Sequence, residues 1–260
     1  MWSAEWVGYK AFYITNKMNH LDLFSGIGGF SLAARWTWGK DHNVIAFVEQ
    51  DKYCQKVLNK HWSDVPIISD IRTYKHDRTK TIDILTGGFP CQPFSVAGKQ
   101  RGKEDDRFLW HEMLRIIKES SPTWIIGENV TNIVNMELDN CIADLESVGY
   151  ETQAFIIPAS AFYGLHGRSR VWIIANSKGE RCKGAIYGES ESVTKRRFGT
   201  QIPIKGIVGF NKEGFYEEAC ATEFIRKANG IPGRVDRLRG LGNAIVPQIA
   251  QEIMRCIAAL

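Results

Sequence analysis

The six cysteines, at positions 54, 91, 141, 182, 220 and 256, include no C-x-x-C pair. Such scatter argues against a zinc site and a disulfide framework, and it predicts a reducing, cytoplasmic setting with no metal. No apolar stretch approaches the roughly 18 residues of a membrane span. The opening run MWSAEWVGYKAFYITNK lacks the continuous apolar core and clean cleavage site of a signal peptide. Internal repeats are absent. So are a G-K-[ST] phosphate loop and a full G-x-G-x-x-G fingerprint. Neither charge sign prevails strongly, since the formal net charge is only +4.

What is present suits a folded domain. The chain has 260 residues, of which 44% are hydrophobic and 24% charged. That length fits one α/β domain plus a small second lobe. The positive excess is local. Residues 176–240 hold 13 Lys and Arg against 8 Asp and Glu, whereas the rest holds 20 against 21. Such a segment is either a solvated basic surface or a surface that faces phosphates.

Short apolar runs alternate with helical patterns. Strands are expected at His20–Phe24, Val44–Val48, Ile67–Ser69, Ile82–Leu85, Trp124–Ile126, Gln153–Ile157 and Val171–Ala175. Helices are expected at Phe30–Trp38, Lys52–His61, Arg107–Glu119 and Leu138–Val148. This alternation predicts an α/β fold, a parallel sheet covered on both faces. Ligands bind beyond the C-terminal strand ends of such sheets. Ser25–Gly29, Glu49, Asp70, Cys91 and Glu128 all fall there. The pattern breaks after Ala175 and resumes at Asn243-Ala244-Ile245-Val246-Pro247, which opens an apolar helix to about Ala259. Pro247 suits a first helical turn, where no amide donor is needed. Four parts are expected: a loose extension over 1–17, an α/β domain over 18–175, a small separate lobe over 176–233, and a segment returning to the α/β domain over 234–260. Met18 is the natural start of the plan, either as initiator or after a loose extension.

Several motifs carry chemistry. DLFSGIGGF, Asp22 to Phe30, is a strand, a glycine turn and a helix start; its glycines allow close backbone approach to a ligand. A plain tight turn gives the same string. Glu49 lies 21 residues after Gly28, the distance at which a carboxylate accepts from ribose hydroxyls. Asp70 and Ile71 follow another strand and suit an adenine amino group and ring. Taken together these describe an adenosine pocket; singly, each carboxylate reads equally as surface. GGFPCQPFS, Gly87 to Ser95, sets Cys91 in a Gly- and Pro-rich turn directly after a strand, where a thiolate is presented and not buried. Glu128-Asn129-Val130 follows the neighbouring strand. A thiolate beside a carboxylic acid suits addition to an electron-poor ring, although Glu128 alone reads as a cap or surface residue. Arg168 and Arg170 alternate on one face before a strand. They suit a carboxylate, a phosphate or a base, or are a mundane surface pair. Gly240-Leu241-Gly242-Asn243-Ala244 is a sharp turn whose Asn243 could reach back to the cofactor.

In this order, DLFSGIGGF, Glu49, Asp70, GFPCQPFS, Glu128-Asn129-Val130, Arg168-x-Arg170 and GLGNAIVPQIA resemble the motif series of the DNA (cytosine-5) methyltransferase family. The resemblance runs from about Asn19 to the C-terminus, outside residues 176–230, and its PCQ and ENV motifs are highly specific. It implies a Rossmann-like methyltransferase sheet with a small inserted recognition lobe, of the compact phage or restriction-modification type. It implies S-adenosyl-L-methionine as cofactor, with Phe24, Gly26, Ile27, Gly28, Glu49, Asp70, Ile71, Pro90 and Asn243 around it. It implies that Cys91 attacks C6 of a cytosine flipped out of double-stranded DNA. Glu128 then holds N3 and the exocyclic amine, and Arg168 and Arg170 hold the base and the cysteine loop. Gln92 and Ser95–Arg101, hinged at Gly98, would close over the base. Leu165 and His166 depart from the usual residues before Arg168, and the recognition region is short. Two other readings stay open: a tRNA or RNA cytosine-5 methyltransferase, and a DNA-binding relative without turnover. A monomer is expected, with a restriction endonuclease acting on the same site as a second candidate partner.

Overall fold

The computed structural model describes residues 17–90, 109–162, 168–177 and 243–260. The extension over 1–16, the cysteine loop over 91–108, Leu165 and His166, and nearly all of the recognition region lie outside the described residues.

Seven strands form one sheet in the order β3-β2-β1-β4-β5-β7-β6. They are β1 (Met18–Leu23), β2 (His42–Val48), β3 (Ile67–Ile68), β4 (Ile84–Gly87), β5 (Trp124–Val130), β6 (Tyr150–Pro158) and β7 (Ser169–Ser177). The helices are α1 (Gly29–Trp38), α2 (Lys52–His61), α3 (Trp110–Ser120), α4 (Leu138–Ser147) and α5 (Pro247–Ala258). Each expected strand is present, and the described helices match within a few residues. Pro247 occupies the first turn of α5. Asp51 caps α2, accepting from the Tyr53 and Cys54 amides.

The parallel expectation needs correcting at one edge. β1 to β5 pair in parallel, but β7 runs antiparallel to both β5 and β6. Parallel neighbours need a crossover of a dozen or more residues, usually a helix. The 159–168 connection between β6 and β7 is too short for one, so the two form an antiparallel pair.

Strand alternation divides the core into two layers. Leu21, Leu23, Leu85, Ile125 and Ile173 face the layer of α3 and α4, with Met113, Ile116 and Leu145. Ile84, Ile126, Trp172 and Ile174 face the layer of α1 and α5, with Phe30, Ile253 and Met254. Full burial of such side chains contributes about 1.5–3 kcal/mol each. The terminal helix packs its apolar face on α1. This layering aligns the ends of β1, β2, β4 and β5 along one rim.

Candidate functional site

The turn after β1 folds under strain. Phe24, Gly26 and Gly28 take positive φ values of 51°, 54° and 86°. Phe24 has no glycine freedom, so the left-handed conformation costs it energy. Hydrogen bonds compensate. The Ser25 hydroxyl donates to the Asp22 carbonyl at 2.6 Å, and the Ser25 amide to the Val48 carbonyl at 3.1 Å.

The glycines of this turn serve different ends. A Cβ on Gly26 would meet nothing within 4 Å among the described residues, so here the turn faces space that they leave free. On Gly28 it would lie 2.8 Å from the Trp62 ring, and on Gly29 2.7 Å from Ile245. Those two are glycines because α2 and the approach to α5 pack against them. Ile27 is half-buried beside the opening, and Asn243 is exposed two residues before Ile245.

Glu49 closes the turn from the end of β2. Its Oε2 accepts from the Gly26 amide and its Oε1 from the Asp51 amide, both at 2.7 Å. Burial raises its pKa, and these amides pull it back. The Gln50 amide also contributes, so three amides hold the carboxylate and leave acceptor capacity for a ribose hydroxyl from a rigid position. Asp70 caps a short 3-10 turn over Ile71–Thr73, accepting from the Arg72 amide at 3.0 Å. Ile71 is 3% exposed and belongs to the core, so only its margin is open to an adenine ring. Arg115 on α3 holds this turn from behind. Its guanidinium donates to the Ile71 and Tyr74 carbonyls at 3.0 and 3.2 Å and to Glu112 and Glu119 at 2.8 Å each. Sequence reasoning missed Arg115, for which helical spacing from Glu112 and Glu119 was the only signal.

The second half of the site lies between β4, β5 and β7. Glu128 is not beyond its strand, as expected, but within β5, opposite Trp172. It is 7% exposed, which excludes a surface role. Its Oε1 lies 3.1 Å from Arg170 Nε, without the alignment of a hydrogen bond. Burial pushes its pKa up to about 7, against the pull of Arg170 and then Arg168. Arg168 Nε is buried and has no hydrogen-bond partner among the described residues. The site therefore holds a neutral-leaning carboxylic acid beside two guanidinium groups, with bonding capacity unused.

The strand that carries the cysteine turn abuts this acid. β4 and β5 are parallel neighbours, with Gly87 opposite Gly127. A Cβ on Gly88 would lie 3.4 Å from Glu128 Oε2. The buried Asn129 donates through Nδ2 to the Phe89 carbonyl at 2.9 Å. Asn129 thus holds the chain just before Pro90, with Glu128 beside it. Cys91, Gln92 and the Ser95–Arg101 loop lie outside the described residues.

Comparison with known proteins identifies the family. The profile of the C-5 cytosine-specific DNA methylase family matches residues 18–230, beginning at the first residue of β1. The type II methyltransferase M.AluI of Cellulosimicrobium cellulans is 36% identical over 195 residues, covering 68% of this chain and 37% of that protein. M.Bsp6I, a type II methyltransferase of Bacillus sp. strain RFL6, is 35% identical over 211 residues, covering 76% and 64%. The chain thus spans roughly a third to two thirds of the length of these relatives. The Dnmt2 methyltransferase of S. pombe shares the fold, with a TM-score of 0.54, 22% identity, and coverage of 71% of this chain and 59% of that one.

Proposed function

We propose that this chain, which belongs to the C-5 cytosine-specific DNA methylase family, methylates C5 of cytosine in double-stranded DNA with S-adenosyl-L-methionine as methyl donor. The observation that carries the reading is the buried Glu128 carboxyl on β5, flanked by Arg168 and Arg170 and beside Gly88 at the end of β4, the neighbouring strand that leads into Pro90 and Cys91.

The division of labour follows from the residues. Cytosine C5 is a poor nucleophile until C6 is attacked, so Cys91 adds to C6 as a thiolate. Glu128, protonated below about pH 7, donates to N3 as charge develops there and binds the exocyclic amine. Arg170 holds that carboxyl in place, and Arg168 offers its unpartnered Nε to the base. Loss of the C5 proton to a base then lets Cys91 leave. The pocket suits an adenosine: Gly26 faces space free of the described residues, Glu49 keeps acceptor capacity for the ribose, and Asp70 stands ready for the amino group. Phe24, Ile27, Gly28, Ile71, Pro90 and Asn243 frame it. When bound, S-adenosylmethionine supplies the methyl group that C5 accepts.

The basic segment within 176–240 supports DNA as partner, with residues 176–233 reading the target. We further propose a monomer acting in the cytoplasm, with a restriction endonuclease of the same specificity as a second partner. The test is base-resolution 5-methylcytosine sequencing of DNA from a methylation-free bacterial host, beside a Cys91→Ser control. Methylation at one short motif, absent from the control, is expected. Methylation that persists in Cys91→Ser would overturn the nucleophile, and unmodified DNA beside methylated RNA would overturn the substrate.

A further inference from the structure

A line of buried polar side chains crosses the sheet on the α1 side and takes no part in the chemistry proposed above. His20, Asp22, Ser31 and Thr86 are all fully buried. Ser31 Oγ donates to Asp22 Oδ2 at 2.7 Å, and Thr86 Oγ1 to Asp22 Oδ1 at 3.0 Å. His20 Nε2 lies 2.7 Å from Thr86 Oγ1, and His20 Nδ1 lies 3.0 Å from His42 Nε2. The Ser25 hydroxyl of the cofactor turn donates to the Asp22 carbonyl.

Burial raises the Asp22 pKa to about 7, so well above that pH Asp22 is ionised and accepts from each side-chain partner, which sets the direction of every bond. Thr86 has one hydroxyl proton and spends it on Asp22, so it must accept from His20. His20 therefore carries its proton on Nε2, which leaves Nδ1 to accept from His42 Nε2–H. Burial lowers the pKa of both rings, His42 to about 4, so both are neutral. The chain runs one way, from His42 through His20 and Thr86 to Asp22. No Lys or Arg pairs with Asp22 among the described residues, and Glu49 is the charged group acting on it. Burial of a carboxylate without a cation is costly, and an apolar residue would cost less there.

The geometry points to Asp22 as a positioning residue for methyl transfer, which sets the spacing between the cofactor turn, the start of α1 and the β4 strand that leads to Pro90 and Cys91. One residue joins all three: its carboxylate holds α1 through Ser31 and β4 through Thr86, and its backbone carbonyl holds the turn through Ser25. The inference rests on the function proposed above.

The test uses the full chain and three variants, Asp22→Asn, Thr86→Val and Ser31→Ala. The Ser31 amide also donates to Asp22 and cannot reverse. An Asn would keep its oxygen toward that amide and turn its NH2 toward Thr86. Thr86 would then donate to His20, whose proton would move to Nδ1. Nitrogen-15 NMR of His20, recorded well above pH 7 so that Asp22 is ionised, should show the Nε2–H tautomer in the wild type and Nδ1–H in Asp22→Asn. Calorimetry with S-adenosylmethionine should show about tenfold weaker binding for Asp22→Asn and Ser31→Ala, as expected for a misplaced site. Thr86→Val should keep that affinity within about twofold and lower kcat by about tenfold, a split that general destabilisation does not produce. An Nδ1–H His20 in the wild type, or affinity and kcat within about twofold in all three folded variants, would overturn the proposal. A wild type that binds S-adenosylmethionine but methylates no cytosine would sink the proposed function. The tautomer and the affinities would still decide the role of Asp22, and should Asp22→Asn fail to fold, the other two variants decide it.

Discussion

Arg170 Nε stands 3.1 Å from Glu128 Oε1 across an antiparallel β5–β7 pairing, inside the sheet and not beyond its edge. The pairing sets Val130 opposite Arg170 and Glu128 opposite Trp172. The acid is thus buried by strand backbone on one side and met by a cation on the other. Desolvation outweighs the ion pair, and the carboxyl leans toward its neutral form.

A pH dependence follows. The folded pKa of Glu128, about 7, lies above its ordinary value of 4.5. Its contribution to stability is full below the ordinary value and is lost as pH rises through about 7. Urea unfolding should show stability falling between pH 5 and pH 8, with a shallower fall in Glu128→Gln. In kcat/KM the same group should give an alkaline limb near pH 7, and Glu128→Gln should lower the rate by about 100-fold or more.

Glu49→Ala should act on two levels. It removes an acceptor for the cofactor and also releases the Gly26 and Asp51 amides. Affinity for S-adenosylmethionine should fall by about 1–2 kcal/mol, the value of a charge-assisted hydrogen bond. Calorimetry reads it directly, and an unchanged dissociation constant would remove Glu49 from the pocket.

Glycine substitutions should separate packing from binding. Gly28→Ala adds a Cβ 2.8 Å from a Trp62 ring already held by Phe47 and Arg35. Together with its positive φ, this should cost about 2 kcal/mol or more of stability. Gly26→Ala bears the backbone cost alone, about 1 kcal/mol, and its methyl points into the opening. Thermal melts should therefore rank Gly28→Ala as less stable, whereas calorimetry should show the weaker cofactor binding in Gly26→Ala.

Arg115→Ala frees the Ile71 and Tyr74 carbonyls from α3. The Asp70–Ile71 turn should loosen and cofactor affinity drop by about 1 kcal/mol, with kcat little changed at saturation. A fall in kcat at saturating cofactor would show that Arg115 acts on the chemistry and not through the turn.

Local pattern alone was enough to find the strands and helices. Near-continuous apolar runs and 3.6-residue periodicity survive in any context that buries them. The same holds for α5, whose proline and apolar face are local signals. Two kinds of feature escaped. The direction of β7 depends on how long its connection is, and no strand pattern encodes that. The roles of Gly28 and Gly29 depend on Trp62 and Ile245, which are remote in sequence. His20 and Asp22 did leave a trace, as polar residues alternating with Leu21 and Leu23. Only partners on β2, β4 and α1 show that they face each other.

The sequence by itself determined the family, the order of the motifs and the residue types available for chemistry, because these are read along the chain. The tertiary structure alone decided that Glu128 is buried and leans toward its neutral form, that Arg168 Nε has no partner among the described residues, and that Asp22 joins the turn after β1 to β4. Ionisation and hydrogen-bond direction depend on dielectric and on partners across strands, and those exist only once the sheet has closed.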